Sequence, residues 1–196
     1  MYAIWQRNGI VKYRKADTPA GTWLEAEAAV SNGQFTGFDG KADAVEVIIP
    51  GKDSAGNNIT GIRNEAFRSC HALVSVTIPN SVTSIGNWAF SSCSGLTSVT
   101  IPDGVESIGS YAFDGSGLTS VTIGNGMRSI GTMAFYGCIG LTDVYFDGYI
   151  PNTIGNNAFA GVHSGCTVHV YHDLPGWSSY SEGQTWNGMT IAFREA

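Results

Sequence analysis

Apolar and polar residues alternate along the chain in short stretches, and these stretches recur at a nearly constant spacing. The stretch Leu96–Ile101 (LTSVTI) shows the pattern most clearly, and its period of two predicts a short β-strand. Pro102 is expected to end this strand, because proline has no N–H group to donate to a strand ladder. Five such stretches each follow an Ala-Phe dipeptide, so these strands belong to a larger repeating unit.

The repeating unit is 22 to 24 residues long, as measured between its Ala-Phe dipeptides. These dipeptides lie at residues 66–67, 89–90, 112–113, 134–135 and 158–159. The units themselves run over 62–84, 85–107, 108–129 and 130–153, with a degenerate fifth at 154–171. Before them, 44–50 (AVEVIIP) matches the strand part alone and is followed by a short insert. A period of this size is typical of solenoid proteins, in which each unit is one coil.

Each unit contains a second element besides its strand. Asn, Ser or Thr precedes the Ala-Phe pair by two residues, and these residue types cap helix N-termini, so we predict a short helical turn there. Stacking the units aligns apolar residues into internal columns that no coil could bury alone. The columns consist of Ile62, Ile85, Ile108, Ile130 and Ile154; Phe67, Phe90, Phe113, Phe135 and Phe159; Leu73, Leu96, Leu118 and Leu141; and Val76, Val99, Val121 and Val144.

One strand and one helical turn per coil define the predicted fold. It is an α/β, strand-rich leucine-rich-repeat solenoid, right-handed, with a parallel sheet on one face and short helical turns on the other. We assign the repeats to residues 44–172, an N-terminal cap or a linker from a preceding module to 1–43, and a C-terminal cap to 173–196.

Both ends of an open solenoid need covering, because they expose strand edges and apolar core. At the N-terminal end, Thr22 and Glu25 have the spacing of a capping box, which predicts a helix through Ala29 that stops near Asn32-Gly33. At the C-terminal end, Trp177 and Trp186 are expected to cover the fifth coil, with stacking on a ligand as the alternative.

Composition narrows the range of functions. The chain has 10 basic and 16 acidic residues, a formal net charge of −6, and only 13% charged residues. This balance argues against nucleic-acid binding, which needs clustered cations. No apolar run reaches the length of a membrane span, so we expect no membrane insertion. The N-terminal residues lack the layout of a signal peptide, so either the protein is cytosolic or the chain is a piece of a longer precursor.

Candidate chemistry is sparse. The usual nucleophile-elbow, phosphate-loop, dinucleotide and zinc-helix motifs are missing, so we predict that the protein is not an enzyme and needs no cofactor. His169 and His172 are interpreted as surface histidines, with a metal site as the minor alternative. Cys70, Cys93 and Cys138 share one core position and are expected to be buried thiols, although Cys70 and Cys93 are near enough for a disulfide to stay open as an alternative.

The outward side of the strands is the predicted binding surface. The first coils present small hydroxyl side chains there, and the last two present an acid and aromatic rings. The candidate ligand-binding residues are Ser98, Thr100, Ser120, Thr122, Asp143, Tyr145, Thr167, His169 and Tyr171. The hydroxyls are also typical of any solvent-facing strand, whereas aromatic residues are enriched in binding hot spots.

The unit IGxxAFxxCxxLxSVxIPxxVxS, written with x for variable positions, resembles the BspA-like leucine-rich repeat of the Treponema pallidum type. The third unit departs from it by one missing residue and the cysteine; the fifth has Val162 and Gly165 at the cysteine and leucine positions, which implies a distorted last coil. In addition, Tyr2–Trp5 (YAIW) resembles the end of a Listeria–Bacteroides repeat module.

The resemblance to BspA-like proteins implies a function in contact with other molecules. It implies an extracellular or cell-surface location, as part of a longer bacterial precursor, and a non-enzymatic role in adhesion or protein binding. The expected partner is a protein, including a host extracellular protein. The alternatives are a polysaccharide, bound by exposed aromatics such as Tyr145, Tyr171 or Trp177, or no ligand at all, if the solenoid is a structural spacer.

Overall fold

The computed structural model describes residues 8–195, and through them the chain winds as a strand-rich solenoid with three sheets. The first sheet has the order β2-β1-β5-β7, formed by Leu24–Glu27, Ile10–Lys15, Ala44–Ile48 and Ser75–Thr77. The second sheet has the order β14-β12-β10-β8-β6-β4-β3, formed by Thr153–Ile154, Ser129–Ile130, Ser107–Ile108, Ser84–Ile85, Gly61–Ile62, Gln34–Gly37 and Ala29–Ser31. The third sheet has the order β16-β17-β15-β13-β11-β9, formed by Thr185–Trp186, Met189–Phe193, Thr167–Val170, Asp143–Phe146, Ser120–Ile123 and Ser98–Ile101. Two short 3₁₀ helices, Lys41–Asp43 and Trp177–Ser179, complete the regular elements of this region.

Equivalent residues of neighbouring coils pair directly in the parallel ladders. Val121 pairs with Val99 on one side and with Val144 on the other, and Ile85 of the second sheet pairs with Ile62 and the equivalent residue of the next coil. A one-residue slip would turn every core side chain outward, so the apolar pattern and the coil length fix this register together. The strand-rich solenoid predicted from the repeat is confirmed.

The phenylalanine column forms a continuous stack through the centre of the solenoid. From Phe67 to Phe159, successive ring centroids are 5.0 to 5.2 Å apart and the ring planes lie within 6° of each other. Phe35 extends the stack at the N-terminal end, 5.6 Å from Phe67. The leucine and valine columns are buried as predicted, whereas Ile154 at the last coil is only partly buried. These shared columns make each coil depend on its neighbours for stability.

The arm that carries each Ala-Phe pair is a run of turns, and the short helical turns predicted there are not confirmed. In the first full coil, the N–H groups of Ala66 and Arg68 donate to carbonyls three residues earlier, at 3.2 and 3.1 Å. The N–H group of Phe67, between them, donates instead to the carbonyl of Ala89 in the next coil, at 2.8 Å. Glu65 has a left-handed φ of 63°, which breaks the uniform dihedrals of a helix. Every second N–H group of the arm therefore donates along the solenoid axis to a carbonyl of the next coil. Because these donors are used between coils, the continuous hydrogen-bond series of a helix cannot form.

The residues identified as helix caps act between coils. The Asn64 Oδ1 atom accepts a hydrogen bond from the N–H group of Asn87 at 2.8 Å, and the Asn87 Oδ1 atom accepts one from Ser110 at 2.8 Å. These side chains satisfy backbone donors as a cap would, but the donors belong to the following coil. The prediction was therefore correct that these side chains accept hydrogen bonds from backbone N–H groups. It was wrong about where the donors lie, because they belong to the next coil and not to the same arm.

Glycine is required at the corner before the Ala-Phe arm in the second to fifth coils, because each of these corners touches the preceding coil. A Cβ atom at Gly131 would lie 2.5 Å from the Ser110 nitrogen and 2.6 Å from the carbonyl carbon of Gly109. Both atoms are backbone, so relief would need a shift of the whole coil.

We therefore expect Gly131→Ala to lower the free energy of unfolding by about 1–3 kcal/mol, the usual cost of overpacking. Gly51→Ala is the matched control, because its Cβ would meet only side-chain atoms at 3.6 and 3.7 Å. Urea unfolding followed by circular dichroism measures both. Equal stability of the two variants would contradict the close contact at the corner.

The N-terminal segment is built from strands, and the helix predicted from Thr22 through Ala29 is wrong. Residues 24–27 form β2, which pairs antiparallel with β1, and 29–31 form β3, which pairs antiparallel with β4. Asn32 and Gly33 have φ values of 52° and 73°, as a two-residue type I′ hairpin requires. The Asn-Gly pair is thus a hairpin turn and not a helix end.

The N-terminal strands cover the first coil. Strand β4 lies parallel to β6, and the Lys41 ammonium donates to the Ala66 carbonyl at 2.7 Å. In later coils the equivalent carbonyl accepts from the phenylalanine N–H group of the preceding coil, so Lys41 replaces that donor here. The boundaries assigned to the caps at 1–43 and 173–196 remain predictions. The Tyr2–Trp5 resemblance lies outside the described residues.

At the C-terminal end, two tryptophans cover the last coil, as predicted. Trp177 and Trp186 are buried, and their rings lie 5.1 Å apart. Trp186 reaches the end of the phenylalanine stack, 5.7 Å from Phe159, and Trp177 packs on Phe146 at 5.4 Å. In the last coil, Gly165 occupies the position that aligns with the leucine column. The next residue, Cys166, is buried instead, so the core position is shifted by one residue in this distorted coil.

Candidate functional site

The side chains that point outward from the first and third sheets form one surface, which we call the front face. All nine predicted ligand-binding residues lie on it. The strand register sets them in rows, in which Ser98, Ser120, Asp143 and Thr167 are successive partners, as are Thr100, Thr122, Tyr145 and His169. Tyr171 directly follows β15. The structure places these residues together, and their role in binding remains a prediction.

The last coils of the front face carry a network of ionic and aromatic contacts. His169 Nε2 is 2.7 Å from Asp143 Oδ1, and the His169 ring stacks on Tyr145 with centroids 4.4 Å apart and planes 12° apart. The Thr142 hydroxyl donates to the other carboxylate oxygen of Asp143 at 2.7 Å. This hydroxyl first, and His169 second, lower the pKa of Asp143, because both stabilise the ionised carboxylate.

Arg194 completes this network, and the sequence analysis did not identify it. Its guanidinium carbon lies 4.6 Å from the Tyr171 ring centroid and 5.5 Å from that of Tyr145. Its Nη1 atom is 2.6 Å from Asp147 Oδ1. Arg194 arrives here because β17 adds a parallel strand beside β15. The alternating stretch Met189–Phe193 (MTIAF) carried this signal, but it lies beyond the last Ala-Phe coil.

We call this group the aromatic–ion cluster. It consists of Asp143, Tyr145, Asp147, His169, Tyr171 and Arg194. Its side chains contact one another in the absence of a ligand, which preorganises the cluster. Such preorganisation reduces the entropy cost of binding, and tyrosine and arginine are among the residue types that most often dominate interfaces.

The charge around the cluster is acidic. Residues 69–196 contain eight acidic and two basic residues, Arg128 and Arg194. Both are paired within the chain, Arg128 with Glu106 at 3.6 Å and Arg194 with Asp147. This part of the molecule therefore attracts cationic groups more than anionic ones.

The other candidate chemistry is not assembled into a site. Across residues 8–195 no three histidine, cysteine or acidic side chains are grouped as a metal site. His172 packs edge-on against Phe193, and His71 and His163 are exposed. All four cysteines are buried free thiols, so the alternative disulfide between Cys70 and Cys93 is not formed.

The thiols are poor nucleophiles because they are buried. Burial raises the pKa of Cys93 to about 12 and the pKa of Cys138 to about 11. The thiol groups instead donate hydrogen bonds to the backbone carbonyls of the phenylalanine column. Cys93 Sγ donates to the Phe67 carbonyl at 3.0 Å, and Cys138 Sγ donates to the Phe113 carbonyl at 3.1 Å. Thiolate chemistry at neutral pH is accordingly suppressed.

Comparison with known proteins gives the family. The model of the BspA type leucine rich repeat region matches residues 57–174, in six copies. The crystal structure of the leucine-rich repeat protein of T. pallidum is 27% identical, with a TM-score of 0.62 over 78% of this chain and 70% of that one. A leucine-rich repeat protein from Bacteroides capillosus is 24% identical over 74% of this chain and 92% of its own, at a TM-score of 0.44.

A leucine rich cell surface protein from Faecalibacterium prausnitzii is 20% identical over 70% of this chain and 55% of that one, at a TM-score of 0.28. No curated protein matches the chain. Among the described residues, 8–195, no helix has the length and apolarity that crossing a membrane requires. The family model spans more than half of the chain, and the repeat register and stacked core agree with it. The chain belongs to the BspA-type leucine-rich repeat family.

Proposed function

We propose that the chain is a non-enzymatic binding module whose front face holds a protein partner. Leucine-rich-repeat folds generally serve as binding scaffolds, and their extended sheets suit protein ligands. The observation that carries the proposal is the aromatic–ion cluster, a preorganised group of tyrosine, arginine and histidine side chains on an otherwise hydroxyl-covered sheet. The surrounding excess of acidic residues favours a partner segment that contains lysine or arginine.

The cluster supports a protein partner better than a stacked sugar. His169 lies on the Tyr145 ring, and Arg194 lies over Tyr171, so ring surface that a sugar would need is already engaged. Trp177, the third aromatic considered for sugar stacking, is fully buried. The carbohydrate alternative therefore loses its aromatic platform on this face, and the spacer alternative does not account for the fixed arrangement of the cluster.

We further propose that the module acts at a bacterial surface or in secreted form, in adhesion to a neighbouring or host protein. The support is membership of the BspA-type family, since the resemblance to these repeats implies surface or secreted proteins. Fractionation of the native source, with antibody detection of the chain, tests this location. Detection in the cytosolic fraction alone would contradict it.

A double substitution tests the binding function. We expect Tyr145→Ala with Tyr171→Ala to weaken binding to a partner by about 30-fold or more, the effect of losing about 2 kcal/mol at a hot spot. Surface plasmon resonance of the immobilised chain against purified extracellular proteins provides the affinity.

Tyr136→Ala is the matched control, because Tyr136 is an exposed tyrosine outside the front face and its loss should leave the affinity unchanged. Circular dichroism establishes that the variants are folded. Retained affinity in the double variant would remove the cluster from the interface, and a panel without any binding protein would count against the proposed function.

A further inference from the structure

The front face contains a slot at one coil junction. The first sheet ends at β7 and the third begins at β9, so these two neighbouring strands are not joined in a ladder. At the same junction the second sheet is continuous, because β6 pairs with β8 in register. The coils therefore separate on the front face alone. The slot has a volume of about 430 Å³, within the range of small-molecule sites.

Pro102 removes one of the hydrogen bonds that would close the ladder at this junction. In later coils, the N–H group after the strand closes the ladder onto the previous coil: Gly124 donates to the Ile101 carbonyl and Asp147 to that of Ile123, both at 2.9 Å. Pro102 occupies the equivalent position after β9 and has no N–H group to donate to Ile78. This hydrogen bond is thus absent after β9. Pro79 likewise follows β7, and β7 still pairs with β5, so the missing bond is one part of the interruption and not its whole cause.

The slot cannot admit a β-strand. A strand inserted between β7 and β9 would need them about 9.6 Å apart, twice the usual strand spacing. Yet the coils remain in contact at both ends of the slot. A Cβ atom on Gly95 would lie 2.6 Å from the carbonyl oxygen of His71, and a Cβ atom on Gly104 would overlap the carbonyl oxygen of Asn80. The opening is therefore short and fixed at both ends, which excludes an extended peptide and suits a small molecule.

The lining of the slot is uncharged and combines polar groups with the aliphatic side chains of Val76, Ile78 and Val99. It includes four hydroxyl side chains that are exposed, together with a carboxamide and the proline ring. These are Ser75, Thr77, Ser98 and Thr100, with Asn80 and Pro102. Hydroxyls and a carboxamide both donate and accept hydrogen bonds, and the strand edges beside them add backbone donors and acceptors. Such a lining matches a neutral ligand better than an ionic one.

We propose that this slot binds a neutral sugar unit. A saccharide ring carries several hydroxyl groups that match the mixed donors and acceptors of the lining, and one or two rings fit the volume. This site is separate from the aromatic–ion cluster, because it lies between the first and third sheets, whereas the cluster lies on β13, β15 and the residues that follow β13, β15 and β17. The sugar binds by its hydroxyl edges rather than by stacking, because none of the described residues that line the slot is aromatic.

Titration of the isotope-labelled chain with maltotriose, mannotriose and the trimer of N-acetylglucosamine tests the proposal by NMR. We expect at least one of these sugars to shift the amide signals of β7 and β9 in a saturable manner. Thr77→Val and Thr100→Val should each weaken that binding about tenfold, because each removes hydroxyl hydrogen bonds worth about 1.4 kcal/mol. Thr190→Val is the matched control, since Thr190 is an exposed threonine of β17 that is paired on both sides, and it should change the affinity less than about twofold.

Pro102→Gly provides an independent test, because it restores the N–H group that Gly124 supplies in the next coil. We expect the amide introduced at position 102 to become protected from hydrogen exchange and the sugar to bind at least about tenfold more weakly. The Tyr145→Ala/Tyr171→Ala variant should bind the sugar normally, which separates this site from the proposed protein interface. Absence of saturable shifts with all three sugars would overturn the proposal, as would an equal effect of Thr190→Val or unchanged binding in Pro102→Gly.

Discussion

Replacing Phe113 with alanine is expected to lower the free energy of unfolding by about 3–5 kcal/mol, the usual cost of deleting a buried phenylalanine side chain. Phe113 is fully buried and stacks on Phe90 at 5.2 Å and on Phe135 at 5.1 Å. The alanine would leave a cavity in mid-stack and remove two ring contacts at once. Because each coil is stabilised only through its neighbours, the loss should separate the solenoid into two weakly coupled halves.

Urea unfolding monitored by tryptophan fluorescence gives the stability of this variant, and limited proteolysis shows whether the middle coils open first. Ile139→Ala is the control, since Ile139 is an apolar residue that is 79% exposed, and its loss should change stability by less than about 0.5 kcal/mol. If Phe113→Ala behaved like Ile139→Ala in both measurements, the stack would not be a source of stability.

Trp177→Ala should also lower the free energy of unfolding by about 3–5 kcal/mol. Its effect, however, should be concentrated at the C-terminal end of the solenoid. Trp177 has no exposed surface, packs on Phe146 and Trp186, and donates from Nε1 to the Gly148 carbonyl at 3.0 Å. Its loss uncovers the last coil and leaves the carbonyl without its donor. We expect the fifth coil to exchange its amide protons faster while the central coils stay protected, as in a solenoid that frays from one end.

Hydrogen exchange with mass spectrometry, resolved by peptide, measures this distribution. Trp177→Phe is the matched variant, because it keeps one aromatic ring in the cap but loses the indole N–H and part of the ring volume. The unsatisfied buried acceptor alone should cost roughly 1–3 kcal/mol. Uniformly faster exchange in every coil of Trp177→Ala would show that the cap is not a local element.

The sequence predicted the solenoid well because coil length and core columns reinforce each other. The spacing of Phe67, Phe90, Phe113 and their equivalents is nearly constant, and a stack of rings tolerates little variation in coil length. The turn arm was not predictable in the same way. Asn87 satisfies a backbone N–H group in either structure, so its residue type cannot distinguish a helix cap from a bond to the next coil.

The N-terminal segment misled the helix prediction for a similar reason. Thr22 and Glu25 have capping-box spacing, but residues 24–27 also alternate in the period of a strand. The alternation prevails because β1 supplies a partner, and its pairing is a tertiary effect absent from local propensity. Short segments near a sheet edge are poorly determined by their own residues.

The candidate site was predicted up to the last repeat and no further. The rows that contain Tyr145 and His169 follow directly from repeat alignment. Arg194 does not, because it reaches the cluster only through the parallel pairing of β17 with β15, after a connection without repeat character. The slot at Pro102 was similarly hidden, since the proline was interpreted as a strand end and its missing hydrogen bond to the neighbouring coil became visible only in the assembled sheet.

The near-identical packing of successive coils has an evolutionary consequence. Insertion or deletion of one complete coil preserves every column and every ladder, whereas an arbitrary change of a single residue would reverse the strand faces. The third unit shows the narrow exception, because it lacks one residue and Ser116 fills the buried cysteine position, 3.3 Å from the Cys138 sulfur. Relatives should thus vary in length mainly by whole units. Each unit inserted between the slot and the aromatic–ion cluster would increase the distance between these two sites by about 4.8 Å, the spacing of neighbouring strands.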